Sequence, residues 1–426
     1  MRKFIPKFIF QIYHYLLALI GAVIYGFPSK KIIVVGVTGT NGKSTVVHLL
    51  TEILEKTLRQ VSTPSSTRGA QGKVASLSSI RFKIGDKEEK NILKMTMPGR
   101  FKLQKFLRQA VDAGCKYIIL EVTSEGIKQF RHKFIDWDGA VFTNLTKEHI
   151  EAHKGFGNYK KAKGKLFQAL ERGPKTNKWA VLNIDDANFG YFSDLFSGKK
   201  YFYGIRNQKA EITPEKIGLK LDNLLGEFNI YNTLAAYCAG IALGIEKSKA
   251  LEVLKSAKGI PGRLELVIND PLKVFVDYAH TPDALEKVYQ TLISSNPKLR
   301  TSNLICVFGS CGGGRDKWKR PEMGKIAAGY CKNIILTNED PYDEDPNQIL
   351  SEIKSGISNF EFRISNFYKI LDRREAINKA ISMAEPGDTI IITGKGCEPW
   401  MCVEGGKKIP WDDRGVAREE FKKLHI

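Results

Sequence analysis

The stretch KIIVVGVTGTNGKSTVVHLLTEILEKTL, residues 31–58, decides how the rest of the chain is read. Ile32 to Val35 is a short β-branched run, glycines and small polar residues follow, and STVVHLLTEILEKTL reads as helix. A strand, a glycine-rich turn and a helix in that order make a phosphate-binding loop. Backbone N–H groups of Gly39, Thr40, Asn41 and Gly42 and the helix N-terminus at Ser44 and Thr45 face phosphate oxygens. Lys43 adds a point charge, and the Ser44 hydroxyl reaches Mg²⁺. The spacing departs from G-x-x-x-x-G-K-[ST], because Val37 stands five before Gly42 while Gly36 lies six and Gly39 three before it. Use of ATP or GTP follows from this segment alone.

Working outward, 426 residues exceed one ordinary hydrophobic core and predict two or three domains. The segment CKYIILEVTSEG (115–126) is an apolar strand ending in Glu121. A carboxylate at the carboxyl end of a buried strand, facing a phosphate loop, suits a nucleotide-bound Mg²⁺. His149 and His153 are four apart, which makes a weak metal candidate, and Lys163 lies among Lys160, Lys161 and Lys165, a run that reads as a solvated basic face. GIPGRLELV (259–267) has the texture of a domain entry. Beyond it, short buried strands alternate with helical periods, as in an open parallel sheet. The expected fold class is α/β: a central P-loop ATPase-like domain with a mostly parallel sheet, then a Rossmann-like C-terminal domain. The expected domains are 1–30, 31–258 and 259–426.

The loop G-V-T-G-T-N-G-K-S-T resembles that of the Mur ligase superfamily. These are ATP-dependent amide ligases that build the peptide stem of bacterial cell walls, with folylpolyglutamate and cyanophycin synthetases as relatives. The resemblance implies a Mg²⁺-binding Glu at Glu121, a Mg²⁺-binding His at His149 and a CO₂-carbamylated lysine at Lys163, inside NLTKEHIEAHKGFGNYKKAK (144–163). It implies a catalytic set of Lys43, Glu121, His149 and Lys163, with Asn232 near the adenine. Thr96, Thr123, Gln129 and Arg131 fall where the third-amino-acid adding members bind the nucleotide-sugar peptide, with Met97 in place of a second threonine. In the C-terminal part, PGR (261–263) and DYAHTP (277–282) match closely, which implies that Arg263 and Asp277 contact ATP. FGSCGGGRDKWKRPEMG, GKGCEPW (394–400) and WDDRGVA (411–417) continue the match, with Cys397 replacing a histidine.

The implied reaction joins an amino acid to a muramyl-peptide carboxylate, UDP- or lipid-linked, through an acyl phosphate. Gly394, Glu398, Asp340, Tyr342 and Glu344 are expected at the amino-acid substrate. Family members that add meso-diaminopimelate carry D-N-P-R where this chain has Glu339, Asp340, Pro341 and Tyr342. Tyrosine cannot replace a guanidinium fork. With Asp343, Glu344 and Asp345 nearby, the expectation is an acid-lined pocket for L-lysine or another amine-bearing residue. A folylpolyglutamate or cyanophycin-type ligase, and a non-catalytic membrane-attached nucleotide-binding protein, are the alternatives.

The charge of +20 admits nucleic acid, an anionic membrane or a phosphorylated substrate. Dispersed basic residues exclude nucleic acid as the expected partner. Seven cysteines without a C-x-x-C pair point to a reducing, cytoplasmic setting. Residues 8–27 form an apolar run flanked by Arg2, Lys3, Lys7, Lys30 and Lys31. It reads as a membrane-surface helix, so residues 1–28 are expected to touch the inner face of the cell membrane. A helix packed on the body, a dimer contact and a single span compete with that reading. The uridine-binding domain that the family places before the phosphate loop does not fit in the 35 residues that precede Gly36, so a UDP-specific grip is expected to be absent or supplied elsewhere.

Overall fold

A computed structural model describes residues 7–60, 73–93, 95–295, 304–357 and 365–424. The chain folds as two compact units. One comprises 1–146, 156–222 and 228–257, and the other 147–155, 223–227 and 258–426. The segment 147–155 thus belongs by its contacts to the second unit, although the sequence places it inside the central domain.

The strands of the first unit are β1 (Ile33–Thr38), β2 (Lys73–Leu77), β3 (Arg81–Ile84), β4 (Lys87–Lys90), β5 (Cys115–Glu121), β6 (Gly139–Phe142), β7 (Trp179–Asn183) and β8 (Lys199–Tyr203). They form one sheet in the order β4-β3-β2-β5-β1-β6-β7-β8. All neighbours are parallel except the β2-β3-β4 meander at one edge. The central strands are continuous runs of Val, Ile and Leu because helices cover both faces. β1 pairs with β5 so that Val37 lies beside Glu121, which brings the strand ends carrying the phosphate loop and the carboxylate together. Val34, Ile118, Leu120, Trp137, Phe142, Leu166 and Phe167 anchor the core below.

The helix α1 (Lys7–Ile24) stops where Gly26 and Phe27 take left-handed backbone conformations. Its inner face packs on the body: Ala18 and Ala22 are buried, Gly21 lies against Phe101, and Tyr15 meets the Phe130 and Phe134 rings edge-on. Its outer face leaves Ile9, Ile12, Tyr13, Leu16, Ile20, Val23 and Ile24 exposed. Among the described residues no helix is long and apolar enough to cross a membrane. Residues 1–6, with Arg2 and Lys3, lie outside the described residues.

The second unit holds β9 (Glu265–Ile268), β10 (Lys273–Asp277), β11 (Leu304–Phe308), β12 (Asn333–Leu336), β13 (Asn366–Lys369) and β14 (Thr389–Thr393). Their order is β13-β12-β11-β14-β10-β9, parallel except for β9 at the edge. A small hairpin of β15 (Trp400–Cys402) and β16 (Lys408–Pro410) follows. This is the expected α/β class with two sheets.

Candidate active site

The phosphate loop joins β1 to the helix α2 (Lys43–Gln60). Two of its glycines are required by geometry. Gly39 has φ +150 and a Cβ there would collide with the Thr143 hydroxyl; Gly42 has φ +82 and a Cβ would collide with the Asn232 side chain. The loop is braced from β6 and the residues after it. Asn144 accepts from the Asn41 N–H at 2.9 Å, and Thr143 donates to the Asn41 carbonyl at 2.7 Å. Lys43 folds back on the Thr40 carbonyl at 2.6 Å, where it rests beside the cradle.

Ser44 donates to Glu121 Oε2 at 2.8 Å, and the same oxygen accepts the Ser79 N–H at 2.9 Å. A hydroxyl and a carboxylate are thereby gathered at the loop. Both are hard oxygen donors, which Mg²⁺ prefers, and together they would hold the ion beside the phosphates. The donor set fits the ion. Among the described residues no three His, Cys, Asp or Glu side chains cluster as a metal site, so only part of the expected set is gathered within the first unit.

Lys163, on the helix α6 (Phe156–Arg172), is buried and donates to the Gly39 carbonyl at 2.5 Å, with its Nζ 4.6 Å from the Tyr159 ring centre. It is therefore no solvated basic face, as the surrounding lysines suggested. Lys161 and Lys165 are exposed on the same helix because helical spacing turns them away, and Lys160 is half-buried with its Nζ 5.1 Å from the Tyr191 ring centre. The Tyr159 hydroxyl lies 3.2 Å from Thr40 Oγ1, tying this helix to the loop.

Asn232 is buried and donates to Asn229 at 3.3 Å on the helix Glu227–Ala242. Thr123 caps the helix α4 (Ser124–Lys128), its hydroxyl accepting from the Gly126 N–H at 3.1 Å. Gln129 and Arg131 follow that helix, and Arg131 Nη2 donates to Gln129 Oε1 at 2.8 Å. Thr96 is half-buried just before Met97, whose carbonyl accepts from Arg131.

Within the second unit, His149 has left-handed backbone (φ +54), uncommon outside glycine and a mark of a constrained position. Its Nε2 lies 3.7 Å from Glu148, which also pairs with His280 at 3.2 Å. Burial pushes the Glu148 carboxyl up, but His149, His280 and Lys319 outweigh it and hold it well below the usual range. Asp316 fixes the segment by accepting from the Ile150 and Glu151 N–H groups, each at 3.0 Å.

Arg263 stacks on the Tyr278 ring at 4.3 Å. Asp277 is buried and accepts from the Leu264 and Ala279 N–H groups at 2.6 Å each; burial raises its pKa despite Arg263. Lys395, fully buried, bridges Asp340 at 2.8 Å and Glu398 at 2.7 Å, and Glu398 also accepts from Tyr278 at 3.1 Å. Gly394 has φ +106, and a Cβ there would stand 2.6 Å from Glu339. Sequence reasoning missed Lys395, whose signal was its place between two glycines in GKGCEPW.

Two of the acids expected to line the amino-acid pocket are paired with cations of the same unit, and two others accept backbone N–H groups. Asp340 is neutralised by Lys395 and accepts the Cys402 N–H; Glu344 is paired with Arg320 at 3.0 Å and Lys317 at 3.3 Å. Asp343 accepts from Gly405 and Asp345 from Asn347 at the start of the next helix. Tyr342 sits in left-handed backbone, its hydroxyl pKa raised by burial and by its neighbours Cys311 and Cys402. All seven cysteines are free thiols.

The Mur ligase middle domain family matches residues 37–240, and the Mur ligase glutamate ligase domain family matches 262–396. Over 96% of this chain and 82% of its own length, the UDP-N-acetylmuramoyl-L-alanyl-D-glutamate–2,6-diaminopimelate ligase of Geobacillus thermodenitrificans is 35% identical. The chain belongs to the Mur ligase family. It is an ATP-dependent amide ligase of the peptidoglycan-synthesis class, and the family implies ATP and Mg²⁺ as its cofactors. The equally named ligase of Clostridioides difficile is 37% identical over 94% of this chain and 81% of that protein. A solved ligase of the same name has TM-score 0.57 at 29% identity, covering 93% of this chain and 79% of that one. Mycobacterium tuberculosis folylpolyglutamate synthase has TM-score 0.67 at 15% identity, covering 96% and 99%, a likeness of fold. The similar Mur ligases named here add diaminopimelate, so the expectation of a different amino acid finds no support in them.

Proposed function

We propose that this Mur ligase joins 2,6-diaminopimelate, or an amino acid of that class, to the terminal carboxylate of a muramyl dipeptide. The observation that carries the reading is the Ser44–Glu121 pair at the mouth of a braced phosphate loop, with buried Lys163 against that loop. The identities of acceptor and amino acid rest on the names of the relatives. ATP binds on the central domain (31–258), with Lys43 swinging from the Thr40 carbonyl to the β- and γ-phosphates. The acceptor carboxylate attacks the γ-phosphorus, the bond to ADP breaks, and an acyl phosphate forms. The amine then attacks the acyl carbon, loses a proton, and inorganic phosphate leaves. Mg²⁺, held by Ser44 and Glu121, supplies charge neutralisation of the phosphates when bound, and His149 is the nitrogen ligand assigned by resemblance. Arg263, Asp277 and Asn232 orient the nucleotide, and the C-terminal domain (259–426) brings the amino acid through Lys395, Glu398 and Gly394.

Lys163 is carbamylated in the working enzyme. Its ammonium first gives one proton to water, and the neutral Nζ then adds to CO₂ and gives up a second; the remaining N–H keeps the bond to Gly39, while two new oxygens supply negative charge beside the phosphate site. The exposed face of α1 lies on an anionic membrane surface at the cytoplasmic side. A helix apolar on both faces, one of them packed and the other bare, fits an interfacial site, and Lys30 and Lys31 at its end add attraction.

The experiment is product mass spectrometry with ATP, UDP-N-acetylmuramoyl-L-alanyl-D-glutamate and a panel of diaminopimelate, lysine, ornithine and alanine. ADP release that needs both acceptor and amino acid, with diaminopimelate preferred, supports the reading; ATP turnover independent of either defeats it. Flotation with phosphatidylglycerol vesicles, lost when Ile12, Leu16 and Ile20 become serine, tests the membrane contact.

A further inference from the structure

We propose that Arg100, held beside Arg131 on Gln129 where the helix α3 (Arg100–Asp112) begins, is a further acceptor-binding residue that takes an anionic group of the acceptor. The proposal rests on the ligase reading and adds Arg100 to the residues that hold the acceptor.

Arg100 Nε donates to the Gln129 carbonyl at 2.9 Å, and its Nη2 lies 3.5 Å from Gln129 Oε1. Arg131 Nη2 donates to that same Oε1 at 2.8 Å, and its Nη1 donates to the Met97 carbonyl. Two guanidiniums therefore share one neutral amide oxygen. Among the described residues neither makes an ion pair with a carboxylate. Arg131 is only 9% exposed, and its Nε is buried with no hydrogen-bond partner. Burial, with Arg100 beside it, pulls the Arg131 pKa down to about 10, and Glu125 offsets this less than Arg100 adds to it.

Such an arrangement is unfavourable on its own. Two like charges in a partly desolvated place repel, and a buried N–H without an acceptor is an unmet bond. An oxyanion removes both problems at once, because a carboxylate or phosphate can take parallel bonds from guanidinium forks. The surroundings suit an anion. α3 has thirteen residues, its N-cap is Gly99 without a side-chain cap, and its first turn holds no acid, so its positive end is uncompensated. A side chain built on Gly99 would meet nothing within 4 Å, which leaves the approach open. Of the residues assigned to the acceptor by resemblance, Thr96 precedes α3, Thr123 and Gln129 flank α4, and Arg131 follows it. The competing role for Arg100 is a clamp that ties α3 to the residues after α4 through the Gln129 carbonyl.

The acceptor carries oxyanions of two kinds, peptide carboxylates and carrier phosphates, and the test separates them. Wild type, Arg100→Gln and Arg100→Lys are titrated calorimetrically with UDP-N-acetylmuramoyl-L-alanyl-D-glutamate and with the same muramoyl dipeptide lacking UDP. The acceptor KM, the ATP KM and Tm are measured alongside. Arg100→Gln is expected to weaken the acceptor about tenfold or more, to leave the ATP KM unchanged, and to leave Tm unchanged or raised as repulsion is relieved. Arg100→Lys restores part of the affinity. Weakening with both ligands assigns a carboxylate, and weakening only with the UDP-linked ligand assigns a phosphate. Unchanged affinity for both, a wild type that binds neither, or a fall in Tm that matches the affinity loss and is not rescued by lysine overturns the site. A wild type that binds the acceptor through Arg100 without ligating it defeats the ligase reading and leaves the site standing.

Discussion

Replacing Gly42 by alanine tests the geometry of the phosphate loop most directly. Gly42 has φ +82, and a Cβ at that position runs into Asn232 Oδ1 and stands 3.0 Å from its Cγ. Left-handed backbone costs a residue with a Cβ about 1–2 kcal/mol. Asn232 is buried and donates to Asn229 at 3.3 Å, so pushing it aside forfeits a hydrogen bond of about 0.5–1.5 kcal/mol. Together the loss is about 1.5–3.5 kcal/mol, which is roughly a tenfold to three-hundredfold rise in the ATP KM if it falls wholly on nucleotide binding. Urea unfolding with and without Mg-ATP apportions the loss between folding and binding. The decisive comparison is a double-mutant cycle with Asn232→Ala. Removing the asparagine side chain removes the obstacle, so Gly42→Ala then costs only its backbone term, and the two substitutions couple by about 0.5–1.5 kcal/mol. Effects that add to within about 0.3 kcal/mol would refute the collision with Asn232 as the mechanism.

Three further outcomes follow from the same structure. Lys163→Ala should lower ligation by about a hundredfold or more and be partly rescued by a short-chain carboxylic acid but not by bicarbonate; active wild type whose intact mass shows no added CO₂ would sink the carbamate. His132 is buried with its pKa pushed down to about 3 by burial, then by Lys133 and Lys165. The neutral ring is what the fold accepts, so its contribution is fully present above pH of about 6.5 and is lost as pH falls towards 3, at up to about 1.4 kcal/mol per pH unit; His132→Gln should flatten that slope in urea titrations between pH 6.5 and 4. Arg373 and Asp413 form a fully buried two-bond pair at 2.8 and 2.7 Å, so Asp413→Ala should cost about 3–5 kcal/mol while Arg373→Met with Asp413→Leu comes closer to neutral; an equal loss in both variants would show that the pair itself is not the source.

The legible parts of the chain were those whose constraints are local. Gly39 and Gly42 are dictated by backbone dihedrals and close approach, and the β-branched run before them fixes a strand, so the loop could be read from fifteen residues. Glu121 was legible because it ends an apolar run, and pairing β1 with β5 in parallel carries that end to the loop. The hairpin of β3 and β4 went unread: its burial is slight and its residues mostly charged, so no apolar period announces it. The placement of Lys163 could not be read from its neighbours, since four lysines in six positions look alike until a helix turns one of them inward.

The specificity loop failed for a different physical reason. Glu339, Asp340, Asp343, Glu344 and Asp345 stand almost in a row, and a row of acids reads as a negative surface when only the row is seen. What decides the field is the partner an acid meets, and for Asp340 and Glu344 that partner is a cation from elsewhere in the chain. Asp340 meets Lys395, 55 residues on, and Glu344 meets Arg320, 24 residues back. Once paired, these carboxylates hold the loop rather than attract a substrate ammonium. Charge sign along a sequence therefore gives no reliable field inside a folded unit. The same argument explains the segment around His149. Its position is set by the Asp316 carboxylate, which accepts from Ile150 166 residues away, a dependence that no local pattern of histidines could disclose.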